Sequence, residues 1–137
     1  MSPPQKVIII TGASRGEIRR ASFPTIHLII FVGIGLAATK YLLEQKCKVV
    51  VVARGQAALE EIKSQHPDDV AILAGNLEDL SLGAKVVDLT LKTFGRLDGI
   101  IINHGVLAPV TRISESNAED WSKAFSINVF SAVAIVR

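Results

Sequence analysis

A glycine-rich turn divided by an apolar stretch is the feature of this sequence that points most directly to chemistry. Gly12, Ser14, Arg15 and Gly16 follow an apolar run, and Gly33-Ile34-Gly35 opens a helical pattern. Glycines at the end of a strand let backbone N–H groups approach a pyrophosphate, and the following helix N-terminus adds partial positive charge. Without residues 17–33 the two halves read TGASRGIGLAATKYLLEQ, a strand-to-helix turn typical of dinucleotide sites.

Residues 17–33 are therefore interpreted as an inserted segment within that turn. They carry no turn pattern of their own, and Pro24 breaks their middle. The codons for Gly16-Glu17 and Val32-Gly33 can hold a splice donor and acceptor, so one interpretation is a retained intron or an intron missed in gene prediction. The alternative is a genuine loop that bulges outward and leaves Gly33 and Gly35 facing a phosphate. A flexible loop of this length would add closure entropy and loosen the turn.

Two further candidate positions follow the second and third apolar runs. Arg54 stands where an NAD-selective site usually places an acid, so Arg54 and Arg15 could pair with a 2′-phosphate. The alternative is that both arginines are simply solvated. Asn76 could hydrogen-bond an adenine edge while Leu77 covers the ring, although a turn-forming role explains Asn76 equally well.

The last candidates lie after the fourth apolar run and on the final helix. Asn103 could tie neighbouring strands together, and Gly105 would allow close approach of a cofactor. Asn128 lies among apolar neighbours on a predicted helix, where a polar side chain needs a partner. It is either a functional residue or a structural asparagine satisfied by the protein itself.

The elements that must position these residues alternate between strand and helix. Strands are predicted at 7–10, 49–52, 70–74 and 99–102, and helices at 36–46, 57–65 and 80–94. A last helix begins at the capping-box spacing Ser116–Glu119 and runs through Val133. Tyr41 and Leu91 are among the predicted apolar positions of the first and third helices. The alternation predicts an α/β fold, a parallel doubly wound sheet of about four strands with its ligand site at the carboxyl ends.

Size and composition narrow the remaining possibilities. A chain of 137 residues with 49% apolar residues suits one domain with a sheet covered on both faces. The net charge of +2, without a basic run, argues against a nucleic-acid partner. Cys47 is the single cysteine, which favours a reducing, cytoplasmic location, and no apolar stretch has the length of a membrane span. The three histidines lack metal-ligand spacing.

The strings TGASRG with IGLA, VVVVAR, NHG and FSINVF together resemble the short-chain dehydrogenase/reductase family. The resemblance covers nearly all of the chain outside residues 17–33, and INHGVLAPVTRISESNAEDW is similar to the fungal benzil reductase and sepiapterin reductase subgroup. It implies a truncated Rossmann domain that prefers NADP(H) to NAD(H). The implied cofactor contacts are Gly12, Ser14, Arg15, Gly16 or Gly33, Ile34, Gly35, Arg54, Asn76, Leu77, Asn103 and Gly105. Asn128 matches the helix asparagine that completes the family's proton relay.

The chain departs from the family because the catalytic Ser and the Tyr-x-x-x-Lys motif are absent from its residues. Its one tyrosine, Tyr41, falls in the first helix. The expected function is the amino-terminal cofactor-binding part of an NADP(H)-dependent carbonyl reductase or alcohol dehydrogenase, inactive by itself. The alternatives are a non-catalytic NADP-binding module and an interaction fragment that associates with itself or with a full-length relative. An exposed fourth strand, together with Trp121, Phe125 or Phe130, would favour such association.

Overall fold

A computed structural model of the chain describes residues 4–13 and 33–137. The predictions for Ser14, Arg15, Gly16 and residues 17–32 lie outside this part. The strands are β1 (Val7–Thr11), β2 (Lys48–Ala53), β3 (Val70–Ala74) and β4 (Gly99–Ile101). The helices are α1 (Ile34–Glu44), α2 (Gln56–Gln65), α3 (Leu82–Phe94), α4 (Ala118–Phe125) and α5 (Ser131–Val136). A π-helical segment, Ser126–Phe130, joins α4 to α5, and a short 3-10 turn spans Ile113–Glu115.

The four strands form one parallel sheet in the order β3-β2-β1-β4, which confirms the predicted α/β class. Ile9 of β1 pairs with Val50 of β2 on one side and with Ile100 of β4 on the other. Because all four strands run the same way, their carboxyl ends meet along one edge. The strand boundaries agree with the predicted ones within a residue.

Alternating side chains of the central strands build two separate cores. Ile9, Val50 and Val52 face a cluster that includes Val86 of α3 and Ile135 of α5. Ile10, Val49 and Val51 face the opposite cluster, which includes Leu43 of α1 and Leu59 of α2. Burial on both faces explains why β1 and β2 are continuous β-branched runs.

The ends of two helices show how local sequence defines them. Gly95 ends α3 in the left-handed conformation, with φ +75°, as predicted. The capping-box prediction for the last helix was wrong by one residue, because Asn117 is the cap. Its Oδ1 accepts a hydrogen bond from the Asp120 N–H at 2.9 Å. Ser116 instead donates to the Ile113 carbonyl, and its oxygen accepts from the Trp121 indole.

Two side chains assigned to apolar helix faces lie at the surface. Tyr41 of α1 is 61% exposed and Leu91 of α3 is 48% exposed, so both predictions were wrong. The inward face of α1 is formed by Gly35, Thr39 and Leu43, and that of α3 by Val86 and its neighbours. Thr39 and Thr90 fit inside because each hydroxyl bonds a carbonyl four residues earlier.

The edge strand and the last helices carry exposed apolar side chains, as the sequence predicted. Ile101 and Ile102 lie at the uncovered edge beyond β1. Phe125 and Phe130 are about half exposed on the continuous helix formed by α4, the π-helical segment and α5, and Trp121 is 42% exposed. In the part of the chain that the structure describes, no helix is both long and apolar enough to cross a membrane.

Candidate functional site

The carboxyl ends of all four strands open onto one cavity of about 250 Å³. Eight of the predicted cofactor contacts line it: Gly12, Gly33, Ile34, Arg54, Asn76, Leu77, Asn103 and Gly105. Residues separated by up to 93 positions are thus brought to one place by the parallel sheet. Among the described candidates, only Gly35 and Asn128 do not line this cavity.

Helix α1 presents its N-terminus to this cavity. Gly33 is the N-cap residue, and no described side chain caps the helix or supplies an acid in its first turn. The first backbone N–H groups of a helix have no partner within the helix, and they carry partial positive charge. Gly33 and Ile34, which line the cavity, therefore offer the donors that an anion would need.

Gly12 and Gly35 are required by close packing between the turn and the end of β4. Gly12 has φ +74°, and a Cβ there would lie 2.9 Å from the Cα of His104. A Cβ on Gly35 would lie 2.6 Å from Asn103 Nδ2 and 2.8 Å from the Gly12 carbonyl oxygen. Real side chains do not fit at these distances, so the two halves of the divided turn meet only because both positions are glycine.

Three candidates on the β2 and β3 sides occupy different environments. Arg54 is exposed at the rim of the cavity and forms no ion pair with a carboxylate of the described residues. The Asn76 side chain accepts from the Glu78 N–H at 3.2 Å, which is the turn-forming arrangement considered for it. Leu77 is 8% exposed and belongs to the core, with part of its surface on the cavity wall.

Asn103 ties β4 to β1, as its position suggested. Its backbone N–H donates to the Thr11 hydroxyl at 3.1 Å, and its side-chain Nδ2 lies 3.4 Å from the Gly12 carbonyl. These contacts hold the first half of the glycine turn against the fourth strand. The cavity wall at Asn103 and Gly105 is consequently fixed to the end of β1.

Asn128 bonds the backbone of the loop after β4 through both ends of its side-chain amide. Its Oδ1 accepts from the Val106 N–H at 2.8 Å, and its Nδ2 donates to the Val106 carbonyl at 2.9 Å. Asn128 lies in the π-helical segment, a distortion that is frequent at functional sites. Within the described residues its contacts are structural, and they act on a residue of the cavity wall.

His104 makes contacts that the sequence did not predict. Its Nδ1 lies 2.7 Å from Thr11 Oγ1, and its Nε2 lies 2.6 Å from Ser131 Oγ. Burial lowers the pKa of His104, with a smaller opposing effect from the Ile127 carbonyl. The sequence contained a hint of these contacts. Thr11 and Ser131 are polar residues inside apolar segments, and buried polar groups need hydrogen-bond partners.

A second, larger opening of about 890 Å³ adjoins the cavity and shares Arg54, Asn76, Val106 and Ile127 with it. The two openings together have room for an extended dinucleotide. Charged side chains at the second opening include Glu78 and Lys123, whose carboxylate and ammonium lie 3.6 Å apart. The described residues contain no group of three metal-ligating side chains.

Comparison with known proteins defines the family. The short chain dehydrogenase profile matches residues 30–137. An uncharacterized oxidoreductase of Schizosaccharomyces pombe is 34% identical over 97% of this chain and 46% of its own length. Benzil reductase ((S)-benzoin forming) of Saccharomyces cerevisiae is 35% identical over 96% of this chain and 46% of its own. A crystal structure of another Saccharomyces cerevisiae short chain dehydrogenase/reductase superposes with a TM-score of 0.80 at 30% identity, over 96% of this chain and 46% of its own.

The chain therefore belongs to the short-chain dehydrogenase family. It spans about half the length of the curated relatives it matches. The family uses nicotinamide cofactors.

Proposed function

We propose that this chain is the amino-terminal, NADP(H)-binding part of a short-chain carbonyl reductase or alcohol dehydrogenase. The observation that carries the proposal is the meeting of four strand ends and the N-terminus of α1 at one cavity, where no described side chain caps the helix. Gly12 and Gly35 allow the close packing that this arrangement requires. The pyrophosphate would be held by the described part of the divided turn, namely Gly12, Gly33, Ile34 and Gly35. Ser14, Arg15 and Gly16 would complete this turn.

Arg54 supports the preference for NADP(H) over NAD(H). A guanidinium forms strong charge-assisted hydrogen bonds with phosphate, and no described carboxylate pairs with Arg54. No acid follows β2 where one would bind the ribose hydroxyls of NAD. Asn76 and Leu77 would contact the adenine, and Asn103 and Gly105 would lie beside the nicotinamide ribose.

The role proposed for Asn128 is to complete the proton relay of a full reductase. Its side-chain amide is committed to Val106, so the group left for such a relay is its backbone. In the complete reaction, hydride passes from the cofactor to a carbonyl carbon while an acid protonates the oxygen. Tyr41, the only tyrosine of these residues, lies on the outer face of α1, so the 137-residue chain alone should not reduce carbonyl compounds.

Calorimetric titration with NADPH and NADH tests the cofactor assignment. The expected result is saturable binding, with a higher affinity for NADPH than for NADH. An Arg54→Asp variant should have an affinity for NADPH that is lower by about tenfold or more. Arg112→Asp, which makes the same charge change outside both openings, is the matched control. Equal affinities for the two nucleotides in the parent chain, or equal effects of the two variants, would refute the NADP(H) preference.

We further propose that residues 17–33 are an inserted segment in this domain. The family match begins only at residue 30, which supports an interruption before that point. A variant lacking residues 17–33 should bind NADPH more tightly than the parent chain, because the closure entropy of a long loop is removed. Weaker binding by the deletion variant would contradict an insertion and indicate that the segment contributes to the site.

A second candidate function is association through the uncovered face, and the exposed apolar side chains favour it. Phe125, Phe130 and Val133 are 50%, 51% and 54% exposed on one continuous helix. Sedimentation analysis at micromolar concentration should show self-association or, on mixing, a complex with a full-length relative. A chain that stays monomeric at all concentrations and forms no complex with the full-length relative would exclude this candidate.

We also propose a cytoplasmic location, which imaging of the tagged chain would test.

A further inference from the structure

His104 connects the end of β1 to the last helix through a continuous chain of hydrogen bonds. The Asn103 N–H donates to Thr11 Oγ1 at 3.1 Å, and Thr11 Oγ1 lies 2.7 Å from His104 Nδ1. On the other side of the ring, Nε2 lies 2.6 Å from Ser131 Oγ and 3.1 Å from the Ile127 carbonyl. The ring therefore spans two elements that are far apart in sequence.

Counting donors and acceptors determines which ring nitrogen carries the proton. Ser131 donates its hydroxyl proton to the Ile127 carbonyl, so its oxygen is free to accept from His104 Nε2–H. Thr11 already accepts from the Asn103 N–H, and its single hydroxyl proton can then be donated to Nδ1. With a neutral ring protonated on Nε2, every donor and acceptor in this row of hydrogen bonds has a partner.

The doubly protonated ring does not fit these partners. A proton on Nδ1 would face Thr11 Oγ1, which would lose its acceptor for the hydroxyl proton in a fully buried position. Among the described residues, the groups that face the ring are the Thr11 hydroxyl from β1, the Ile127 carbonyl from the π-helical segment and the Ser131 hydroxyl from α5. None of these is charged, so nothing among them compensates an imidazolium.

We propose that His104 is a positioning residue whose neutral ring fixes Asn103 and Gly105 in the wall of the nucleotide cavity, and that protonation of the ring weakens nucleotide binding. The proposal rests on the proposed function of that cavity. Asn103 and Gly105 line the cavity on either side of His104, and Ile127 lines it from the helix to which the ring is bonded. Loss of the hydrogen bonds to the His104 ring would therefore loosen the cavity wall at Asn103 and Gly105 and the wall at Ile127 together.

Nucleotide titration at two pH values tests the proposal. NADH is the probe, because the 2′-phosphate of NADPH is expected to titrate near pH 6, as phosphate monoesters do. Between about pH 7.5 and about pH 5.5 the dissociation constant of the parent chain should rise by about threefold or more. His104→Gln, which keeps a polar group near Ser131 but does not titrate, should show less than about half of that change on a logarithmic scale.

His66→Gln is the matched control, since His66 lies at the end of α2 and outside the cavity. It should retain the pH dependence of the parent chain. Identical pH dependence in the parent chain and His104→Gln would overturn the proposal. A parent chain whose affinity is independent of pH over this range would overturn it as well.

A measurement without nucleotide separates this proposal from the proposed function. Nitrogen NMR of the whole chain should show a neutral His104 ring protonated at Nε2, and the amide signals of Asn103 and Gly105 should titrate with that ring. Amides that stay unchanged while the ring titrates would overturn the positioning role. If no nucleotide binds to any variant, the proposed function fails, and the amide signals still decide whether His104 positions this wall.

Discussion

Asn128 and Val106 are joined by two hydrogen bonds: the Val106 N–H donates to Asn128 Oδ1 at 2.8 Å, and Asn128 Nδ2 donates to the Val106 carbonyl at 2.9 Å. The pair links the π-helical segment to the loop that follows β4, and Val106 lines the cavity. A residue proposed to act in a proton relay thus also determines the position of a cavity wall. A change of Asn128 should therefore affect both the stability of the chain and the binding of nucleotide.

Asn128→Ala should cost about 1 kcal/mol of unfolding free energy, because two hydrogen bonds are lost at a solvent-exposed site. It should also weaken nucleotide binding, since Val106 loses its anchor. Asn117→Ala is the matched control, because it removes the α4 cap at a cost of about 1 kcal/mol without touching Val106. Urea denaturation and calorimetric titration of both variants check this, and equal effects on binding would contradict it.

Gly35→Ala should reduce NADPH affinity by about tenfold or more, because the new Cβ would displace Asn103 or the Gly12 backbone. Gly95→Ala provides a control in which the backbone is strained but the site is untouched. Its φ is +75° and a Cβ there would meet nothing within 4 Å, so it should cost about 1 kcal/mol of stability alone. If Gly95→Ala weakened binding as much as Gly35→Ala, loss of stability rather than local geometry would be responsible.

Gly83→Ala should destabilise the contact between α3 and α5. A Cβ at this position would lie 2.5 Å from the Ala134 carbonyl oxygen and 3.0 Å from the Ile135 Cα, so two helices must separate. We expect a loss of about 1–3 kcal/mol in thermal or urea unfolding. Gly99→Ala is the comparison, since its Cβ would meet only the flexible end of Ile8 at 3.1 Å. A smaller loss for Gly83→Ala than for Gly99→Ala would contradict the observed packing.

His104 should make the folded chain less stable in mild acid. Burial lowers its pKa in the folded state, so the unfolded chain binds more protons as pH falls below about 6.5. The unfolding free energy therefore decreases with falling pH until the folded-state pKa is passed. His104→Gln should flatten this decrease relative to the parent chain in urea denaturation at several pH values. A steeper decrease in His104→Gln would show that the sign is wrong.

The sequence predicted the sheet and most of the cavity wall because both depend on local patterns. Continuous β-branched runs identified β1 and β2, and the residues after each strand had to converge in a parallel sheet. Helix faces were harder, since several apolar side chains compete for the core. In α1 the buried positions are Gly35, Thr39 and Leu43, and this leaves Tyr41 outside.

The contacts of His104 and Asn128 could not be derived from local patterns. His104 bonds Thr11 and Ser131, which are 93 and 27 residues away, and the Asn128 partner is a backbone group without a residue signature. The same limit applies to the cap of α4, where Ser116 and Asn117 are both good N-cap residues. Only the path of the preceding 3-10 turn, which bonds Ser116 to Ile113, leaves Asn117 as the cap.

Amide chemical-shift mapping of the isotope-labelled chain during NADPH titration tests the central claim most directly. The account predicts saturable shifts at Gly33, Ile34, Arg54, Gly105 and Val106, which surround the cavity at the strand ends. The groove between α3 and α5, lined by Val87 and Val133, should remain unaffected. Absence of saturable shifts, or shifts concentrated in that groove, would contradict the assignment of a nucleotide to this cavity.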